Sequence, residues 1–140
     1  MDPNLLTIGE EVARLEFPAV SATDMAIVSA IMDDPNPIHF DPRAIEDTNH
    51  TGLVNPGSIN LSYLTQAALS VAAGPTDIVS LDVRFEANVY EGEDVTAIAT
   101  VERIDDNAET LDLSLVLEKG DETTAATGTA TVRPDTECTE

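Results

Sequence analysis

At 140 residues the chain has room for one domain with a real core and too little for two. Its hydrophobic content of 42% sets it apart from acidic disordered chains. Against 27 Asp plus Glu stand 6 Lys plus Arg, a formal charge of -21, and that balance excludes nucleic acid as a natural partner, because a phosphate backbone calls for clustered bases.

The acids are spread along the whole chain, not gathered in a tail. The bases Arg14, Arg43, Arg84, Arg103 and Arg133 are dispersed, and Lys119 is the one lysine. Such a surface repels itself at low ionic strength, and salt screens the repulsion. The pattern resembles that of proteins from salt-accumulating halophiles. There is no apolar run of about 18 residues, so no membrane partner is expected. The N-terminus lacks a basic region followed by an apolar core, so no secretory signal is expected. Cys138 stands alone in a polar tail and cannot form an internal disulfide. A cytoplasmic location is the expectation.

Residues 11–18 read as a short strand ending at Pro18. Ser21 with Asp24 three residues later has the form of a capping box. From Met25 to Met32, Ile27 stands above Ile31 and Val28 above Met32, which is helical spacing. Pro35 and Pro37 stop that helix and impose an extended loop. Asp41-Pro42 then reads as an N-cap with proline at the first helical position, opening a short helix through Asp47. Residues 48–56 are expected to be loop, and Pro56-Gly57 is a turn signal. From Ile59 to Gly74 the chain carries no charge, which predicts a central helix enclosed on most sides, with Gly74 as its C-cap.

The second half changes period. Val79, Leu81, Val83, Phe85, Ala87 and Val89 alternate with polar residues, and Leu111, Leu113, Leu115 and Leu117 do so again. Residues 95–104 alternate more weakly, and 123–132 form a strand of small residues. Gly92, Asp105-Asp106-Asn107 and Gly120-Asp121 separate the strands as turns. Long strands facing one apolar helix predict an α+β domain, an antiparallel sheet wrapped around a central helix, spanning residues 1–133. Residues 134–140 are expected to form a frayed acidic tail.

One polar cluster stands out: Asp34-Pro35-Asn36-Pro37-Ile38-His39-Phe40-Asp41. It resembles the signature of the MaoC-like, R-specific enoyl-CoA hydratase family, a hot-dog fold. The run Val83-Arg84-Phe85, followed by Glu91-Gly92-Glu93, is similar to that family's arginine-phenylalanine strand and glycine-acid turn. The likeness spans roughly residues 8–133. It implies reversible addition of water to a trans-2-enoyl thioester, giving the (R)-3-hydroxyacyl-CoA. It further implies that Asp34 and His39 activate the water and manage the proton at C2, while Asn36 holds the loop. A backbone N–H near Gly57 or Ser58 takes the position that polarises the thioester oxygen. No cofactor is implied, because coenzyme A is part of the substrate.

Two departures stand against the likeness. The serine-glycine pair usual before the aspartate is Met32-Asp33 here, a change expected to lengthen the helix. The valine-x-histidine-glycine run of many members is Val54-Asn55-Pro56-Gly57, without the histidine, and Asn55 is a candidate substrate contact in its place. Arg84 is a candidate contact to the coenzyme A phosphates.

Hydration requires an oriented water, a proton-transfer group near neutrality and charge relief where an enolate develops. A free aspartate, with a pKa of about 3.9, is a weak base at neutral pH, and an imidazole, at about 6.5, is better matched. A backbone N–H at a helix N-terminus is a rigid donor for the enolate, and Gly57 permits close approach. Each residue also has a plainer reading. Asp34 can cap a turn, His39 can be a satisfied loop histidine, and Asp41 reads first as an N-cap. Met32 and Ile38 read as pocket or core wall, and His50 receives no role. A metal site built from Asp34, Asn36, His39 and Asp41 is disfavoured by the stiff loop.

Thioester hydrolysis on the same fold calls for an acid on the central helix, and residues 58–73 contain none. A binding or assembly subunit with a degenerate site is the non-enzymatic alternative. A sheet wrapped on one helix leaves an edge open, so a homodimer is expected, with a higher oligomer such as a dimer of dimers as the alternative.

Overall fold

The computed structural model describes residues 5–135. Its elements in chain order are β1 (Glu11–Phe17), α1 (Ala22–Ile31), two 3-10 turns at Pro37–His39 and Pro42–Ile45, α2 (Gly57–Leu69), a 3-10 turn at Pro75–Asp77, β2 (Ile78–Phe85), β3 (Val95–Asp105), β4 (Thr110–Lys119) and β5 (Thr124–Val132). The strands form one antiparallel sheet in the order β1-β3-β4-β5-β2. This is the α+β hot-dog arrangement, with α2 against all five strands.

The core follows from the period-2 pattern. Leu111, Leu113, Leu115 and Leu117 of β4 all point to one face and are fully buried. Burying each stabilises the fold by about 2 kcal/mol. Small residues line the neighbouring strands, Ala97 and Ala99 on β3 and Ala125, Ala126 and Ala130 on β5. They let Leu64, Ala67 and Ala68 of α2 sit close to the sheet. Gly128 makes the tightest approach. A methyl group there would lie 2.5 Å from the Asp82 carbonyl on β2.

Several predicted boundaries move. The central helix ends at Leu69 with Ser70 as its C-cap, well short of Gly74. Tertiary pairing takes over there: Ala72 bridges Pro134 and the Ala73 N–H donates to the Arg133 carbonyl. Gly74 instead precedes the turn at Pro75–Asp77. The strand predicted through Val89 ends at Phe85, where Glu86 and Ala87 both donate to the Ala125 carbonyl. Pro134 and Asp135, at the start of the expected tail, are held against Ala72 and Val71. Residues 136–140, Cys138 among them, lie outside the described residues. Among the described residues, no helix is long and apolar enough to cross a membrane.

The orientation of α1 also departs from its predicted stripe. Met25 and Ser29 face inward, whereas Ile27 is 52% and Ile31 74% exposed. Met32, expected in a wall, is exposed as well. Ser21 caps the helix by accepting from the Asp24 N–H.

Candidate active site

The site begins where α1 ends. Asp33 adopts a left-handed conformation, φ 52°, and donates its N–H to the Ala30 carbonyl. The Asp34 N–H donates to the Ser29 carbonyl at 2.8 Å. These two bonds close a Schellman cap, a motif that favours glycine at its left-handed position. Aspartate is among the few residues that tolerate that conformation. The expected lengthening of the helix therefore does not occur, and the chain turns sharply to present Asp34.

The loop after Asp34 is held by its own side chains. One carboxylate oxygen of Asp34 accepts from the Asn36 N–H at 3.2 Å. Asn36 accepts from the Ile38 N–H and caps the turn Pro37–His39. Asp41 caps the next turn through the Arg43 N–H, and the Arg43 guanidinium holds its carboxyl below the usual carboxylate range.

His39 is 8% exposed. Its Nδ1 lies 2.7 Å from the Val54 carbonyl. A carbonyl only accepts, so Nδ1 carries the hydrogen. The other nitrogen, Nε2, lies 3.2 Å from Asp34 Oδ2. With one proton between them the two groups form a hydrogen bond. Without it both are acceptors, and a water seated beside the pair can donate one hydrogen to each. Asp34 lines a cavity of about 360 Å³ with Ala26, Ser29, Ala30, Asp33, Pro35 and Phe40.

The loop from Thr48 to Pro56 brings His39 to the start of α2. The Val54 N–H donates to the Ile38 carbonyl while the Val54 carbonyl holds the imidazole. Three residues on, Gly57 and Ser58 open α2. Pro56 provides no capping side chain, and the first N–H of α2 to find a carbonyl within the turn is that of Ile59, 3.0 Å from the Pro56 carbonyl. The Gly57 and Ser58 N–H groups precede it and have no helical acceptor. Gly57 has an ordinary φ, and a methyl there would lie 3.5 Å from the Phe85 ring, in normal contact.

Asn55 is buried beside this helix start. Its amide donates to Asn60 Oδ1 at 2.8 Å, and its own oxygen has no hydrogen-bond partner. Tyr63 stacks on Phe17 at 4.3 Å. Burial pushes its phenol above the usual value, an effect the Asn55 amide partly offsets and Asp24 adds to. Arg84 is not brought to this site. By strand alternation it faces away from α2, into a separate cavity of about 260 Å³ with Asp82, Ser114 and Thr129. His50, given no role from the sequence, has its Nδ1 3.0 Å from the Tyr90 hydroxyl. That contact spans 40 positions, beyond the reach of a local pattern.

The MaoC-like domain model matches residues 5–123. The chain belongs to that family. No curated protein matches it. Among solved structures it is similar to the (R)-hydratase from A. caviae involved in PHA biosynthesis, at 26% identity and TM-score 0.81, covering 94% of this chain and 98% of that one. It also resembles the unliganded R-hydratase PhaJ1 from Pseudomonas aeruginosa, at 18% identity and TM-score 0.84, covering 95% and 84%. A third similar structure is protein af1124 from Archaeoglobus fulgidus, at 21% identity and TM-score 0.74, covering 94% and 82%. The Asp34 and His39 pairing gives this family member a hydratase-like catalytic architecture.

Proposed function

We propose that the protein adds water reversibly to trans-2-enoyl-CoA and forms (R)-3-hydroxyacyl-CoA. The observation that carries this reading is the imidazole of His39, fixed by Val54 so that Nε2 faces Asp34. A water seated beside the pair and donating to Nε2 and to the carboxylate has its oxygen lone pairs free for attack. Its oxygen bonds to C3, one of its protons passes to the pair, and a proton from the pair is delivered to C2. Negative charge gathers meanwhile on the thioester oxygen. The open N–H groups of Gly57 and Ser58 are rigid donors for it, and removing one donor of this kind costs about 3 kcal/mol in the transition state.

The same reading includes a homodimer in the cytoplasm. β2 is an edge strand whose Val79 and Phe85 are exposed, and pairing with a second copy covers such an edge. Sedimentation in molar KCl tests the dimer, and a monomer under those conditions refutes it.

The activity is tested by following crotonyl-CoA absorbance near neutral pH in molar KCl. Loss of the enoyl signal with an (R)-3-hydroxy product supports hydration. Release of free thiol points to hydrolysis instead. Silence with crotonyl-CoA and with longer, branched and dicarboxylic enoyl-CoAs supports the binding-subunit alternative.

A further inference from the structure

We propose that Lys119 is a positioning residue: its ammonium fixes the turn Tyr90–Asp94, against which both Asp34 and His39 are set. The inference rests on the site geometry described above and reaches a residue far from it in sequence.

The first observation concerns charge. Arg14, Arg43 and Arg133 keep side chains about half exposed or more, whereas that of Lys119 is 10% exposed. In a chain with so few bases, the one lysine has been taken out of solvent. Its ammonium lies 3.0 Å from Glu93 Oε2 and 3.0 Å from the Asn88 carbonyl, and it stands over the Tyr90 ring at 5.4 Å. Its hydrogens thus meet two oxygens and an aromatic face. A paired charge with little solvent leaves its partner costly once removed.

The second observation is what Glu93 does with its other oxygen. Oε1 accepts from the Tyr90 N–H at 2.7 Å, and the Glu93 N–H donates back to the Tyr90 carbonyl. Lys119 therefore holds the carboxylate that closes this turn. Gly120, the next residue, donates its N–H to the Asp94 carbonyl and ties the turn to the end of β4.

The third observation is what rests on the turn. On one side, Gly92 and Glu93 exchange backbone hydrogen bonds with Val20, both 2.9 Å, and Asp94 accepts from the Ala19 N–H. Val20 precedes the cap of α1, and α1 delivers Asp34 at its far end. On the other side, Tyr90 bridges Val54, flanked by Glu91 N–H to Leu53 carbonyl and Asn55 N–H to Val89 carbonyl. The Val54 carbonyl is the acceptor that orients His39. The two catalytic candidates thus approach each other from opposite sides of one turn.

The test compares wild type with Lys119→Met, Lys119→Arg and the double variant Lys119→Met/Glu93→Gln in molar KCl. The chain has only two histidines, so nitrogen NMR of the neutral imidazoles reads His39 directly, with His50→Gln making the assignment. Wild type is expected to show the Nδ1–H tautomer alone. Lys119→Met is expected to show both tautomers at His39. It is also expected to lose about tenfold in kcat with KM within about twofold, since small misplacements near a reacting centre are expensive. The double variant, which removes both charges, is expected to recover most of the loss, and Lys119→Arg part of it.

A folded Lys119→Met protein with an unchanged tautomer overturns the proposal. So does a double variant as impaired as the single one, since that outcome assigns the effect to the packing of the lysine stem. Should Lys119→Met not fold, Glu93→Gln carries the test, because it strips the ammonium of its carboxylate and is expected to mix the tautomers likewise. The NMR reading needs no substrate, so failure of the hydratase reading leaves it standing. A wild-type His39 without a fixed tautomer overturns the site geometry and this proposal with it.

Discussion

The Val54 carbonyl, 2.7 Å from His39 Nδ1, decides which imidazole nitrogen faces Asp34. On the proposed reading, that single backbone contact makes His39 half of an acid-base pair. Asp34→Asn and His39→Ala are therefore each expected to lower kcat for enoyl-CoA hydration by about 10²–10⁴-fold, the usual span for a positioned proton-transfer group. The measurement is the steady-state loss of enoyl absorbance, with thermal melts confirming that both variants fold. A variant that keeps more than a tenth of the activity contradicts the assignment.

Asp33 holds the left-handed position of the cap ahead of Asp34. Asp33→Gly is expected to raise stability by up to about 1 kcal/mol, because glycine has no side-chain clash there. Asp33→Asn separates this backbone effect from loss of the charge and is expected to be near neutral. Asp33→Val is expected to destabilise, since β-branched residues adopt this conformation poorly. Thermal melts of the three variants give the ranking.

Gly128→Ala is expected to cost about 1–3 kcal/mol by forcing β2 away from β5, because the obstacle is the Asp82 backbone and not a side chain that can rotate aside. Gly57→Ala is the control. Its added methyl meets the Phe85 ring at ordinary distance, so stability is expected to hold, and any fall in kcat then reports the approach of the thioester to the helix start. Denaturant melts and turnover assays on both variants separate the two effects.

Tyr63 supplies a pH dependence. Burial raises its phenol above the ordinary value near 10.0. A group whose folded pKa is raised contributes stability in full below the unfolded value and loses it as pH climbs through the folded one. Wild type is therefore expected to lose stability as pH rises past about 10, and Tyr63→Phe is expected to lose less of it over the same interval. Melting temperatures across the alkaline range make the comparison.

At -21 per protomer, self-repulsion opposes both folding and pairing. Lowering KCl from molar to millimolar is expected to reduce the melting temperature and to shift the proposed dimer toward monomer. Sedimentation that does not change with salt contradicts this.

The sequence announced the fold most clearly where one pattern acts alone. The leucines of β4 alternate strictly and are buried as predicted, and the uncharged stretch after Pro56 is the helix they pack against. It misled where local spacing met tertiary geometry. Ile27 and Ile31 have helical spacing and lie on α1, but the helix turns Met25 and Ser29 inward instead. Val79 is turned out by the register shift between Ile78 and Ser80, which sets Ile78 against the core instead, and Phe85 lies exposed at the end of an edge strand with one neighbour. Asp34 and His39 were legible because five positions and two prolines bring them together. Lys119 was not, since its bearing on the site passes through a turn 26 residues earlier in the chain.

That shared turn has a consequence for additivity. Groups set from separate scaffolds fail separately, and their losses multiply. Asp34 and His39 both take their bearings from Tyr90–Asp94, so a fault in the turn displaces the two together. Once either member of the pair has been removed, loosening the turn has little left to spoil. In a double-mutant cycle, Lys119→Met combined with His39→Ala costs scarcely more than His39→Ala alone, and the coupling energy is nearly the whole effect of the lysine.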